Sequence, residues 1–264
     1  MTVLKLYHND MSVCAAKVRI VLAEKGLKWE GEHLNLRAGD AQKPEYLKLN
    51  PGAVVPTLIH DGTVVIESTV ICEYLDHVFP APLLRPADAF GAARMRLWTK
   101  QLDEGVHAAT GTVSTCIAFR HQHLRKTPAD YQDWLAKIPD PERRERLRLA
   151  VGKGVDSPGF APAVKRFERL LNDIERSLAG GPWLAGDAYS LADVAYTPYM
   201  IRLRHLGFED LIAARPHVAD WAARLFARPS YEPAVGRWLN PAYLEIFERE
   251  RPAARAKIRS IIEG

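Results

Sequence analysis

Asn50-Pro51-Gly52-Ala53-Val54-Val55-Pro56-Thr57-Leu58-Ile59-His60-Asp61-Gly62-Thr63-Val64-Val65-Ile66-Glu67-Ser68 is the stretch on which the fold turns. Asn-Pro-Gly is a turn signal. Val54 to His60 reads as a strand rich in β-branched residues, with an unusual proline inside it. Asp61-Gly62 is the dipeptide of a tight hairpin, so Thr63 to Ile66 is the returning strand. From Ser68 onward the apolar spacing becomes helical. Ile71, Tyr74, Leu75, Val78 and Phe79 share one stripe, which Pro80 closes.

Upstream, Val3 to Tyr7 is a short β-type run, followed by the turn-like His8-Asn9-Asp10-Met11. Ser12 is suited to cap the next helix, with Cys14, Val18, Val21 and Leu22 on one face and Gly26 at its end. Trp29 to Leu36 reads as a second strand and Gln42 to Leu49 as a short helix or turn. The order β-α-β-α-β-β-α predicts a small α/β domain over residues 1–82.

Downstream, Pro80 to Asp88 holds three prolines and reads as a linker. From 89 to 264 the pattern is all-helical. Ala89 to about Phe119 is long and amphipathic. Residues 120–160 are polar and arginine-rich, an exposed insertion of one or two short helices. Ala163–Leu178, Ser190–Leu206, Val218–Ala227 and Pro241–Ile262 are further helical segments. Ser190 and Asp193 stand as a capping box, with Tyr189 and Val194 at the staple positions, and Pro198 should bend the helix they start. The expected fold class is therefore α/β plus all-α.

With 264 residues, two modest domains can each bury a core. Hydrophobic residues make up 47% and charged residues 26%, an ordinary globular balance. The net charge of +4 is spread among acids. It is no nucleic-acid footprint, although it favours small anions. No apolar run is long enough to cross a membrane, and the N-terminus lacks the pattern of a signal peptide. Cys14, Cys72 and Cys116 lie too far apart for a disulfide framework or a metal site. A reducing cytoplasm is the expected compartment, with no metal, membrane or nucleic-acid partner.

Three local signals carry chemistry. A cis Val55-Pro56 bond would turn the Val55 N–H and C=O outward to pair with a peptide-like ligand; a trans proline on an edge strand is the plain alternative. At the start of the 68–79 helix, free N–H groups and the Ser68 hydroxyl suit a carboxylate while Glu67 suits an ammonium, so an amino-acid zwitterion would fit. Alternatively, Ser68 only caps the helix and Glu67 is solvated. Ser12 is either another cap or the donor that stabilises a thiolate. Lowering a thiol by about two pKa units needs about 2.7 kcal/mol, the scale of one charge-assisted hydrogen bond plus a helix terminus. Cys14 is a redox candidate, but its place on the apolar face predicts packing instead.

With these residues in place, the chain resembles the glutathione S-transferase superfamily. The resemblance rests on Leu6-Tyr7, Ser12 and Val18-Arg19-Ile20, on Asn50 to Leu58, on Glu67 to Leu75, and on Ser190-Leu191-Ala192-Asp193. It implies a thioredoxin-like glutathione-binding domain, then a helical domain with the electrophile pocket. By resemblance, Val55 and Pro56 are the cis-proline motif, Glu67 and Ser68 hold the γ-glutamyl group, and Gln42 lies near the glycine end. Ser12 is the activating serine, at a position where another class has cysteine. Val54 departs from the glutamine or lysine of many relatives and removes one side-chain contact. Asp61–Pro80 and Leu84–Glu104 are similar to the bacterial β-aryl etherases, whereas Cys14-Ala15 differ from the asparagine-serine of one etherase group.

The implied activity is attack of the glutathione thiolate on an apolar, aromatic electrophile by a homodimeric enzyme, as in detoxifying conjugation or aryl ether cleavage. Met11, Trp98 and His107 are the candidate pocket residues. Two alternatives stay open: a glutathione-dependent reductase using Cys14, and a non-catalytic binding protein.

Overall fold

The computed structural model describes residues 3–264. The first part comprises β1 (Leu4–His8), α1 (Val13–Glu24), β2 (Glu30–His33), α2 (Pro44–Leu47), β3 (Thr57–His60), β4 (Thr63–Ile66) and α3 (Ser68–Val78). One sheet forms in the order β2-β1-β3-β4. β1 runs parallel to β2, which requires the crossover that α1 supplies, and antiparallel to β3. The β3–β4 hairpin turns on Asp61 (φ 45°) and Gly62 (φ 85°), both left-handed as its tight turn demands. Leu6 and Leu58 pair in register and are fully buried. They share a core with Val18, Val21 and Leu22 of α1 and Ile71 and Leu75 of α3. A smaller cluster of Leu34, Ala41, Tyr46 and Val55 forms separately.

Two strand boundaries differ from expectation. β3 begins at Thr57, so Pro56 precedes the ladder and removes no ladder bond. β2 is confined to Glu30–His33 and is exposed along its length, an edge strand with little to bury.

The second part is helical: α4 (Ala89–Gln101), α5 (His107–Ser114), α6 (Arg120–His123), α7 (Pro128–Ala136), α8 (Pro141–Lys153), α9 (Phe160–Leu178), α10 (Leu191–His205), α11 (Glu209–Ala213), α12 (Pro216–Phe226), α13 (Tyr231–Ala234) and α14 (Pro241–Glu263). The single long helix expected over 89–119 is interrupted. Glu104 (φ −84°, ψ 27°) and Gly105 (φ 136°) leave helical geometry, a conformation that needs glycine at the second position. A side chain there would also come within 2.9 Å of the Arg166 guanidinium. His107 thus opens a new helical stretch.

The 120–160 region is less exposed than its polarity suggests. Trp134, Leu135 and Ile138 are buried, and Gln42 donates from Nε2 to the Trp134 carbonyl at 3.1 Å. The main helical core holds Phe160, Val164, Phe167, Leu171 and Ile174 of α9 with Tyr196, Met200 and Leu203 of α10. At the start of α10 the capping box is formed. Asp193, fully buried, accepts from the backbone and hydroxyl of Ser190, from Leu184 N at 3.0 Å and from Trp221 Nε1 at 2.9 Å. α10 continues through Pro198 and packs against α1.

The linker is tied to α1 by a buried ion pair. Lys25 Nζ donates to Asp76 Oδ1 at 2.8 Å and to the carbonyls of Phe79 and Pro82. Asp76 also receives Leu84 N and pairs with Arg85. Such a pair is tolerated because each ammonium proton and each carboxylate oxygen has a partner. Among the described residues no helix is long and apolar enough to cross a membrane.

Candidate active site

The loop between β1 and α1 is pinned from several sides. The buried guanidinium of Arg19 donates to the carbonyls of Asn9 (2.9 Å), Asp10 (3.2 Å) and Ala234 (2.8 Å). Arg202 donates to the Met11 carbonyl at 2.6 Å, and Asn240 Nδ2 to Asp10 Oδ2 at 2.8 Å. Segments far apart in sequence therefore hold this one loop rigid. Ser12 ends it as the N-cap of α1, its Oγ accepting from Ala15 N at 3.2 Å. The hydroxyl proton remains free to donate, since capping uses only a lone pair.

A second wall is the Val55–Pro56 turn, whose peptide bond is cis. Tyr46 Oη and Asn50 Nδ2 both donate to the Val54 carbonyl, at 2.6 and 3.1 Å. Among the described residues no hydrogen bond engages the N–H or C=O of Val55. Beyond it, Glu67 is held at φ 67°, ψ 111°, a strained region for a residue with a side chain. Strain of this kind clusters at ligand clamps, and here it lies immediately before a helix N-terminus. Ser68 is the first residue of α3 rather than its cap, and no side chain caps this helix. The opening N–H groups of α3 are left for an anion.

Gln42 spends its amide on Trp134. Trp98 donates from Nε1 to the Leu184 carbonyl at 3.0 Å and lies edge-on to Tyr196. It is not among the side chains gathered at the head of α1. Met11 is buried, and its sulfur accepts from Asn240 N at 3.4 Å.

His107, by contrast, meets α1 directly. Cys14 Sγ lies 3.5 Å from His107 Nδ1 and 3.8 Å from Tyr199 Oη, and the tyrosine is 3.0 Å from the same ring nitrogen. Cys14 packs against the main core as expected, and it adds polar contacts that the apolar spacing does not predict. It is half-buried and faces a polar group from each of two helices. Burial pushes its thiol up, but the charges of His107 and Lys17, with hydrogen bonds from His107 and Ser68, outweigh that and bring it down to about 6. The thiolate in turn raises His107. Lys17, fully buried, reaches Thr69 Oγ1 at 3.3 Å beneath the same site. Cys72 and Cys116 are buried, and burial pushes both thiols up to about 12. Tyr199, Lys17 and Arg202 carry no local signal in the sequence, because only the packing of α10 and α3 on α1 brings them here.

The sheet domain that carries this thiol thus also presents a rigidly held loop at a helix N-terminus, a free peptide edge and an uncapped helix N-terminus. The sequence pattern of the glutathione S-transferase N-terminal domain matches residues 11–78, and that of the C-terminal domain matches residues 132–224. The chain belongs to the glutathione S-transferase family. This family of enzymes accounts for the thioredoxin-like sheet domain followed by a helical domain. The chain is 32% identical over 234 residues to protein LigF of Sphingobium sp. (strain NBRC 103272 / SYK-6), covering 86% of this chain and 91% of that one. The crystal structure of the β-etherase LigF superposes with a TM-score of 0.82 at 30% identity, covering 89% of this chain and 99% of that one. Glutathione S-transferase TCHQD of Arabidopsis thaliana is 26% identical over 245 residues, 90% of this chain and 91% of that protein. A 2,5-dichlorohydroquinone reductive dechlorinase of Sphingobium indicum (strain DSM 16412 / CCM 7286 / MTCC 6364 / B90A) is 26% identical over 285 residues, 89% of this chain and 82% of that protein.

Proposed function

We propose that the chain binds glutathione as co-substrate between the Val55 edge and the N-terminus of α3, and runs its thiol chemistry at Cys14. Val55 would pair with the cysteinyl backbone of the tripeptide as an added strand. The α3 N–H groups and Ser68 would take the γ-glutamyl carboxylate, and Glu67 its ammonium. In this reading the bound sulfur faces the head of α1, where Ser12 and Cys14 both stand.

The observation that carries the choice of Cys14 is its contact with His107 at 3.5 Å, which supports a thiolate at neutral pH. Two anionic sulfurs in one small site repel, so a Cys14 thiolate disfavours ionising the glutathione thiol beside it. Thiol–disulfide exchange avoids that conflict. Cys14 attacks the glutathionyl sulfur of a mixed disulfide; the S–S bond breaks and the leaving thiolate takes a proton. A mixed disulfide between Cys14 and glutathione remains. A second glutathione attacks it, releasing glutathione disulfide and restoring the Cys14 thiolate.

A second reading has its own support in the similarity to LigF, whose solved structure is described as a β-etherase. Here Ser12 donates to the glutathione thiolate, which attacks the ether carbon of an aryl ether. The C–O bond breaks and a phenolate leaves. One experiment separates the two. In Cys14→Ser, reduction of a glutathionylated disulfide should fall at least 100-fold, whereas Ser12→Ala should lose less than tenfold. The opposite ranking, with aryl ether turnover intact in Cys14→Ser, supports the etherase reading and contradicts the first. The same proposal includes a homodimer in the cytoplasm, where three free cysteines stay reduced.

A further inference from the structure

We propose that His107, positioned by the Tyr199 hydroxyl, acts on Cys14 as a leaving group, so that its part in catalysis is to release glutathione from the Cys14 mixed disulfide and not to drive the first attack. The proposal rests on the Cys14 reading above. Cys14 Sγ is the atom that attacks and, once joined to a glutathionyl sulfur, the atom that must depart. His107 touches that atom, with Nδ1 at 3.5 Å and Nε2 at 3.9 Å. The histidine is exposed and Cys14 is half-buried, so the pair is open to an incoming thiol.

The fold fixes this contact from two directions. Glu104 and Gly105 break the helix just before His107, and Arg166 holds the break by donating to the Glu104 carbonyl at 3.1 Å. Tyr199 is fully buried on α10, with its hydroxyl 3.0 Å from His107 Nδ1 and 3.8 Å from Cys14 Sγ. A hydroxyl has one proton to give and two lone pairs to accept with. Tyr199 therefore donates to a neutral imidazole when Cys14 is uncharged, and to the sulfur when Cys14 is a thiolate and the ring is the donor.

Stabilising the thiolate affects the two half-reactions in opposite senses. A stabilised thiolate is a weaker nucleophile, its attack rate following thiol pKa with a coefficient of about 0.4–0.5, and a better leaving group. Near neutral pH the weaker attack is offset by a larger ionised fraction. The gain in departure has no such offset. The charges around the ring complete the cycle. The Cys14 thiolate raises His107, while burial and the charges of Lys17 on α1 and Arg143 on α8 lower it. Once Cys14 is joined to glutathione its negative charge is gone, and the imidazolium gives its proton to the thiolate that left in the attack. In release, the thiol proton of the second glutathione ends on the neutral imidazole, and its sulfur attacks the glutathionyl sulfur. The S–S bond breaks with its electron pair passing to Cys14 Sγ. Glutathione disulfide leaves, and thiolate and imidazolium are again a pair.

The test times the two steps separately, by acid quench and intact mass: glutathionylation of Cys14 by glutathione disulfide, and its reversal by glutathione. Both are run at about pH 9.5, above the ordinary thiol pKa of about 8.5, so that Cys14 is ionised with or without the histidine. In His107→Ala, attack should equal or exceed wild type, by up to about tenfold, while release should slow by at least about tenfold. Tyr199→Phe keeps the ring and its packing, and should show the same split in smaller degree. A merely structural role would slow both steps together. Equal slowing of both steps in His107→Ala, or slowing of attack alone, overturns the proposal. An unchanged release rate in Tyr199→Phe overturns the part given to the hydroxyl. If wild-type Cys14 takes no glutathionyl group, the Cys14 reading fails and the proposal with it. If the adduct forms and His107→Ala releases it as fast as wild type, that reading stands and only the proposal fails.

Discussion

Cys14 is where residue-scale physics decides most. Its neighbours Val13 and Ala15 are buried, so periodicity reads the whole first turn of α1 as core. The side chain also meets His107 and Tyr199, which lie 93 and 185 positions away in sequence. No local pattern encodes that meeting, whereas Ser12, Glu67 and Ser68 are legible because capping and helix-terminus chemistry depend on immediate neighbours. The electrostatics give a testable pH dependence. With the folded pKa lowered to about 6, Cys14 is a thiol below that pH and a thiolate above it. Alkylation of the native protein by iodoacetamide should therefore rise with a midpoint near 6. In His107→Ala the midpoint should move up toward the free-thiol value of about 8.5, as the largest favourable charge is removed. Peptide mapping of the labelled site against pH checks both. A midpoint above 8 in wild type would contradict the ion pair.

At the scale of elements, the sequence is most informative where one short segment fixes its own geometry. Asp61-Gly62 predicts its hairpin correctly because both residues must take left-handed backbone. Ser190 and Asp193 predict the start of α10 because the capping box is a local exchange of hydrogen bonds. The break at Gly105 is not legible in the same way. An isolated glycine in a helical pattern is usually tolerated, and its backbone angle is set by α9, whose Arg166 fills the space beside it. Asp193 also does more than cap, tying Leu184 and Trp221 to α10 in a dry interior. Asp193→Ala leaves the Trp221 and Ser190 donors without an acceptor, and should cost about 2–4 kcal/mol. Thermal or denaturant unfolding measures it. A loss below about 0.5 kcal/mol would mean the network is dispensable.

Over the whole molecule, the order of elements and the two-part build follow from hydrophobic periodicity, which survives without knowledge of contacts. How the parts meet does not, because the site depends on α10 and α5 packing against α1. The surface holds a further clue. Val64, Val70, Val78, Phe90 and Leu97 are exposed large apolar side chains on β4, α3 and α4. Scattered apolar residues are ordinary, but several on three consecutive elements suit an interface between two copies. The homodimer proposed above predicts that wild type sediments as a dimer at micromolar concentration and Phe90→Glu as a monomer, with little change in thermal stability of the fold; a wild-type monomer would contradict it. The account as a whole comes down to one sulfur. Intact-mass analysis after brief exposure to glutathione disulfide at neutral pH, with peptide mapping, should find one glutathionyl group on Cys14 that free glutathione removes. An unmodified Cys14 under those conditions, or a modification confined to Cys72 or Cys116, would contradict it.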